Sequence, residues 1–352
     1  MTCAPSRTEV LPRRSLPRRG PSRLDTLPGC AHSPHQSLTN GVPMSLALVF
    51  PGQGSQTVGM GRELADAFPE AKAVFQEVDD ALGERLSETI WNGPEETLTL
   101  TANAQPALMA VSIAALRALE ARGFDPGARA DFVAGHSLGE YSAGSLTLSD
   151  AARLLRIRGE AMQAAVPSGE GAMAAILGLD DAALTEICEE AGQGGVCQIA
   201  NDNGGGQIVI SGTRAAVERG MALSLEKGAK RAIPLPVSAP FHSMLMKPAA
   251  ERMREALADA RIEAPRVPLV ANVLASAVSD PEEIRRLLVE QVTGQVRWRE
   301  SMSYLADAGV DLLLEIGNGK VLAGLAKRID KRLAAVSVGA PADLDAALTR
   351  AA

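Results

Sequence analysis

Residues 131–144 read DFVAGHSLGEYSAG. The apolar run Phe132-Val133-Ala134 predicts a buried strand, and Gly135-His136-Ser137-Leu138-Gly139 fits the G-x-S-x-G turn that joins a strand to a helix. Glycines flank the serine because such a turn leaves no room for side chains. The hydroxyl is thereby held out at the N-terminus of the following helix. A strand before the turn and a helix after it are the context that makes five matching residues informative. Ser137 is therefore the candidate nucleophile.

Working outward, LALVF (46–50) is a second apolar run, and it ends in the glycine-rich loop PGQGSQ. Helical patterns over 60–82 and 106–122 separate the two strands, which predicts a mostly parallel sheet with helices on both faces. The rhythm changes between 171 and 236. GAMAAILGL, VCQIAN, QIVISG and KRAIPLP read as strands, with helices over DDAALTEICEEAG and TRAAVERGMALSLEKG. That β-α-β-β-α-β order is the ferredoxin-like arrangement, complete in itself, and predicts a small domain inserted into a larger one. The turn-rich DNGGG reads as a hairpin connection. The α/β pattern resumes with VPLVANV, helices over 281–292 and 299–308, VDLLLEIG, a helix from Lys320, and AAVSV. The expected division is an extension over 1–43, a discontinuous large domain over 44–170 and 237–345, and a small domain over 171–236.

The extension stands apart. It holds seven of 21 prolines and six arginines against Glu9 and Asp25, without apolar periodicity, so disorder is expected there. Its arginines fit a transit peptide, but SLALVF after Met44 makes a non-functional extension the better reading. The chain carries −7 overall; with +4 in the extension, the body carries −11. A body this acidic is a poor nucleic-acid binder, and 3% aromatic content argues against base stacking. No apolar run is long enough to cross a membrane. Cys188 and Cys197 are the body's cysteines, without CxxC or metal spacing, so no metal or cofactor is expected and a reducing cytoplasm fits.

A serine nucleophile needs a base. His32 and His35 lie in the extension, and His136 adjoins Ser137, so its side chain diverges from the hydroxyl. Elimination leaves His242 in VSAPFHSM. No acid lies near it in sequence, so no third triad member is assigned from the residues. The amide of Leu138 and the loop residue Gln53 are candidate oxyanion donors. Gly52-x-Gly54 lacks the third glycine of a dinucleotide fingerprint, and GNGK (317–320) is followed by Val321, not the Ser or Thr of a P-loop. In a helix over 150–166, Leu154, Ala161, Met162 and Ala165 share one stripe, and Arg158 falls in its middle. Arg153, Arg156, Glu160 and Gln163 take the opposite face. A buried guanidinium wants a partner: a structural ion pair or, beside a nucleophile, a substrate carboxylate.

FPGQGSQ (50–56), GHSLGEYSA (135–143), IRG (157–159), GAMAAILGL (171–179), VSAPFH (237–242) and EIGNGKVL (315–322) together resemble the malonyl-CoA:acyl carrier protein transacylase family, in order over 45 to about 340. The resemblance implies an α/β-hydrolase-like large domain with a ferredoxin-like insertion. It implies malonyl transfer through an ester on Ser137, with His242 as base and Arg158 on the malonyl carboxylate. Gln53 and Leu138 would form the oxyanion hole, and Gln291 would orient His242 through its backbone carbonyl. Phe241 resembles the malonyl-selective pattern. The implied partners are malonyl-CoA and holo acyl carrier protein, for a cytoplasmic and monomeric enzyme of fatty acid synthesis. Lys327, Arg328, Lys331 and Arg332 could meet an acidic carrier, although a solvated face explains them as well.

One departure stands out. The family usually carries about four more residues, of the kind LxAA, between Ala143 and Gly144, so the helix after Ser137 is expected to be about one turn short. Gly144 should end it, Ser149 should cap the next helix, and Arg158 should sit imperfectly against Ser137. A serine hydrolase or thioesterase would use the same serine and histidine, but Arg158 and FPGQGSQ argue against it. A catalytically impaired protein that keeps the fold is supported only by the shortened helix.

Overall fold

The structure is a computed structural model that describes residues 44–237 and 239–352. The disorder expected over 1–43 lies outside the described residues. Ten strands occur among the described residues: β1 (Leu46–Phe50), β2 (Phe132–Gly135), β3 (Gly171–Leu177), β4 (Cys197–Asp202), β5 (Gln207–Thr213), β6 (Arg231–Pro234), β7 (Leu269–Ala271), β8 (Ser276–Val278), β9 (Leu312–Ile316) and β10 (Ala334–Val338). Six form a sheet in the order β10-β9-β1-β2-β7-β8, parallel except for β8.

The central strand shows why this sheet is covered on both faces. Leu46, Leu48 and Phe50 enter one core cluster with the helix Thr101–Ala121, while Ala47 and Val49 enter another with Trp298, Met302 and Leu322. Successive side chains point to opposite faces, so a fully apolar β1 requires helices on each side. The remaining strands form an antiparallel sheet in the order β4-β5-β3-β6. Ala174 and Ile176 on β3 face the helices Asp181–Ala191 and Arg214–Glu226, whereas Met173 and Ala175 join the main core. One face of the small sheet is thus pressed against the rest of the chain, and the site described below lies there. Cys188 on the helix Asp181–Ala191 and Cys197 on β4 face each other as buried free thiols, 3.8 Å apart.

Several local expectations are corrected. The helix expected from 106 begins at Thr101, with Pro106 inside it. Proline is well tolerated near a helix start, but here the first turn lies ahead of it. Short helices Leu86–Asn92 and Glu95–Thr99, the helix Lys247–Ala258, β8 and the terminal helix Leu344–Ala351 had no counterpart in the pattern reading.

The segment after the nucleophile is a 3-10 helix over Ser137–Ser142, and Gly144 then turns the chain at φ 87°. The next helix spans Leu148–Ala164 and is capped by Thr147, not Ser149. Thr147 is extended, so its hydroxyl reaches the Asp150 N–H at 3.1 Å. Ser149 lies one residue inside the helix and donates instead to Glu77. Inserting Leu-Ala-Ala-Ala after Ala143 should continue the first helix over apolar neighbours. A rise in melting temperature of about 3 °C or more is the expected result of calorimetry, at roughly 2–4 °C per kcal/mol. An unchanged or lower value would mean that the short turn is already optimal.

Candidate active site

Ser137 is held at φ 53°, a left-handed conformation rare for a residue with a side chain. The two flanking glycines permit it. A Cβ on Gly135 would lie 2.0 Å from the Gly139 carbonyl carbon, and one on Gly139 would lie 2.4 Å from the Phe50 oxygen. Asn272, at the end of β7, locks the turn from the next strand. Its Oδ1 accepts from the Ser137 N–H at 2.7 Å, its Nδ2 donates to the Gly135 carbonyl at 2.6 Å, and its own N–H donates to Glu140. His136 diverges from the hydroxyl, as its position requires, and pairs through Nε2 with Asn203 Oδ1 at 2.9 Å.

The Ser137 hydroxyl lies 2.8 Å from His242 Nε2. On the far side of the ring, Nδ1 faces two backbone carbonyls, Gln291 at 2.9 Å and Gly294 at 3.1 Å. Carbonyls only accept, so Nδ1 carries the hydrogen and Nε2 presents a bare lone pair to Ser137. No carboxylate is needed to set this tautomer. Burial, with the nearby Arg158 cation, pulls the His242 pKa down to about 3. A depressed folded pKa means that protonation favours the unfolded chain. The stability from this group is present above its ordinary 6.5 and is lost as pH falls from there toward 3. The imidazole therefore stays neutral through mildly acidic solution. The kcat/KM for acylation is expected to show no acid limb near pH 6.5 and to decline only as the pH approaches 3. An inflection at 6.5 would show that His242 titrates freely.

Arg158 is 1% exposed, on the buried stripe of its helix. One guanidinium nitrogen donates to Gln105 Oε1 at 2.8 Å, and the other to Gln291 Oε1 at 2.8 Å and to the Ser137 hydroxyl at 3.1 Å. The expected misfit against Ser137 is therefore absent. Among the described residues no carboxylate forms an ion pair with Arg158, and its Nε is buried without a partner. The nearest acid in its field is Glu140, which accepts from the Gln291 amide and the Asn272 N–H. Burial pushes the Glu140 pKa up to about 8 against these donors and Arg158. The cation is thus held by neutral oxygens, which orient it without quenching its charge.

These groups open onto a cavity of about 770 Å³, a size suited to a small-molecule site. Gln53, Leu138, Arg158, Phe241 and His242 all line it. Gln53 donates to Thr101 Oγ1 at 3.2 Å, and the Leu138 amide lies just ahead of the first turn bond, Gly139 N–H to His136 carbonyl. The structure thus brings Gln53, Ser137, Leu138, Arg158, Phe241, His242 and Gln291 together. Gln291 contributes more than its carbonyl, since its side chain also bridges Arg158, Glu140 and the Ser137 carbonyl. Gln105, Glu140 and Asn272 were not anticipated. The available signal was a polar residue inside an apolar run: Gln105 in ANAQPALMA and Asn272 in PLVANV.

The model of the acyl transferase domain family matches residues 47–336. A malonyl CoA-acyl carrier protein transacylase of Bacillus subtilis is 49% identical over 86% of this chain and 96% of its own. The crystal structure of an acyl-carrier-protein-S-malonyltransferase from Bartonella henselae is 58% identical, with TM-score 0.86 over 88% of this chain and 99% of its own. A malonyl-transacylase solved in complex with its type II PKS acyl-carrier protein is 44% identical, with TM-score 0.84 over 87% of this chain and 99% of the matched one. A nucleophile turn, a carbonyl-oriented histidine and an unquenched buried arginine thus coincide with likeness over nearly the whole body, and the chain belongs to the malonyl CoA-acyl carrier protein transacylase family.

Proposed function

We propose that the chain is an acyltransferase that moves the malonyl group from malonyl-CoA to the phosphopantetheine thiol of an acyl carrier protein, for fatty acid synthesis. The observation that carries this reading is a buried arginine, free of carboxylates, 3.1 Å from a hydroxyl that is itself 2.8 Å from a bare imidazole nitrogen. A thioester bearing a free carboxylate is the substrate that such a pair suits.

In the first half-reaction the Ser137 oxygen attacks the thioester carbonyl while His242 Nε2 takes its proton. The developing oxyanion is received by the Leu138 N–H and by Gln53. The C–S bond then breaks, and the proton on His242 passes to the departing CoA sulfur. In the second half-reaction His242 takes the proton of the carrier thiol, whose sulfur attacks the malonyl-serine ester; the C–Oγ bond breaks and His242 returns the proton to the Ser137 oxygen. Arg158 holds the malonyl carboxylate through both halves, with Phe241 against the acyl group. Gln291 fixes the histidine through its backbone carbonyl.

Related readings belong with this one. The parallel sheet is that of an α/β-hydrolase-like domain formed by 44–170 and 237–345, and residues 171–236 are a ferredoxin-like insertion. The antiparallel order of the small sheet supports this. The enzyme is a cytoplasmic monomer that uses no cofactor, and no described helix is long and apolar enough to cross a membrane. Of the basic cluster, Arg332 is paired with Asp307 and Asp330, leaving Lys327, Arg328 and Lys331 for a carrier. Mixing the protein with malonyl-CoA, with and without holo carrier protein, tests the activity. Malonyl-carrier formation is expected only with the carrier; hydrolysis to malonate in both arms would instead identify a thioesterase.

A further inference from the structure

We propose that Glu140 is a positioning residue for acyl selectivity: by accepting from the Gln291 side-chain amide it sets which end of that amide faces Arg158, and so holds the guanidinium ready for the acyl carboxylate. The proposal rests on the reading that Arg158 receives the malonyl carboxylate. Glu140 lies in the 3-10 helix Ser137–Ser142 and is 4% exposed. Each of its carboxyl oxygens faces a donor: Oε2 accepts from Gln291 Nε2, and Oε1 from the Asn272 backbone N–H. Gln291 Nε2 also donates to the Ser137 carbonyl at 3.0 Å, which leaves Gln291 Oε1 to accept from Arg158 at 2.8 Å.

A primary amide has nearly the same shape whichever way it is flipped, so packing alone does not choose between its oxygen and its nitrogen. Flipped, Gln291 would turn N–H donors toward a guanidinium that is itself only a donor. Its oxygen would meet the Glu140 carboxylate and the Ser137 carbonyl, both acceptors. A carboxylate at this place therefore disfavours the flip from one end of the amide, while Arg158 disfavours it from the other. Glu140 orders the cation through a neutral intermediary, so the positive charge stays available to the substrate. The proton relay is served separately, because His242 Nδ1 faces the backbone carbonyls of Gln291 and Gly294. Reversal of the side-chain amide thus reaches selectivity and leaves the dyad in place.

The test compares kcat/KM for malonyl-CoA over acetyl-CoA in the full chain. It is run at about pH 9, above the value of about 8 to which burial pushes the Glu140 pKa, so that the carboxyl is ionised. Glu140→Gln keeps the volume and can still accept from the Asn272 N–H, but it presents its own N–H group to Gln291. The ratio should fall about 10-fold or more, the usual worth of one hydrogen bond to a charged group. The change should fall on the KM for malonyl-CoA, with acetyl transfer within about 2-fold of the parent. A merely architectural loss would lower both substrates together. In a Gln291→Met background, which has no amide to orient, Glu140→Gln should cause no further fall in the ratio. Should Glu140→Gln fail to fold, Glu140→Asp keeps the charge but draws the acceptor back by one methylene, and should also lower the ratio. The proposal is overturned by equal losses for both substrates, by an unchanged ratio, or by a further fall in the Gln291→Met background. Arg158→Ala separates the two readings. A ratio unmoved there overturns the carboxylate reading and this proposal with it; a ratio that moves there and not in Glu140→Gln overturns this proposal alone.

Discussion

Ser137→Ala should leave no malonyl-enzyme adduct. Intact-protein mass spectrometry after mixing with malonyl-CoA should show the added malonyl mass on the parent chain alone, and digestion should place it on the peptide that contains residue 137. The effect is all-or-none because the ester oxygen itself is lost. His242→Ala keeps the hydroxyl but removes the group 2.8 Å away that accepts its proton. Acylation should slow by about 10²–10⁴-fold, the usual worth of a positioned base. The Ser137 φ of 53° is imposed by the turn and by Asn272, so the variant should retain the nucleophile's pose. An adduct elsewhere in the chain, or a normal rate in His242→Ala, would remove these residues from the mechanism.

Arg158→Ala separates a substrate role from an architectural one. Loss of a buried, charge-assisted contact costs about 2–5 kcal/mol, so malonyl transfer should fall by about 30-fold to several thousand-fold. Acetyl transfer makes no such contact and should be spared or should improve, since Gln105 and Gln291 lose a cation and the pocket gains room. The readout is the ratio of kcat/KM for malonyl-CoA over acetyl-CoA. Equal loss for both would mean that Arg158 serves the fold. Arg158→Lys should not restore the ratio, because a single ammonium cannot satisfy both glutamines, Ser137 and a carboxylate.

Much of this was readable from residue order, for identifiable reasons. The strands β1, β2 and β9 are buried on both faces, so each appears as an apolar run, interrupted in β9 by the buried Glu315. The nucleophile was legible because its turn excludes side chains at Gly135 and Gly139, a demand that leaves glycine in the sequence. His242 could be reached by elimination because the body has so few histidines. The partner of its Nδ1 could not be reached that way. Gln291 acts on the ring through a backbone carbonyl, which every residue possesses, so its side-chain type carries no trace of that contact; only the resemblance indicated it. Asn272 meets both Ser137 and Glu140 from another strand, and local periodicity says nothing about such long-range pairs. The helix cap moved from Ser149 to Thr147 because both are capping residues, and the choice depends on where the chain recovers after Gly144.

Gln291 touches both the histidine and the arginine. Its carbonyl faces His242 Nδ1, while its amide oxygen accepts from Arg158, the cation proposed to grip the acyl carboxylate. One residue therefore gears reactivity to selectivity: a shift that retunes the grip for a different acyl group also swings the imidazole relative to the serine. Variants sought for new acyl groups should accordingly pay in turnover when they disturb the Gln291 backbone. Changes at Gln105, which touches Arg158 and not the histidine, open a path along which preference can drift while the proton relay stays still.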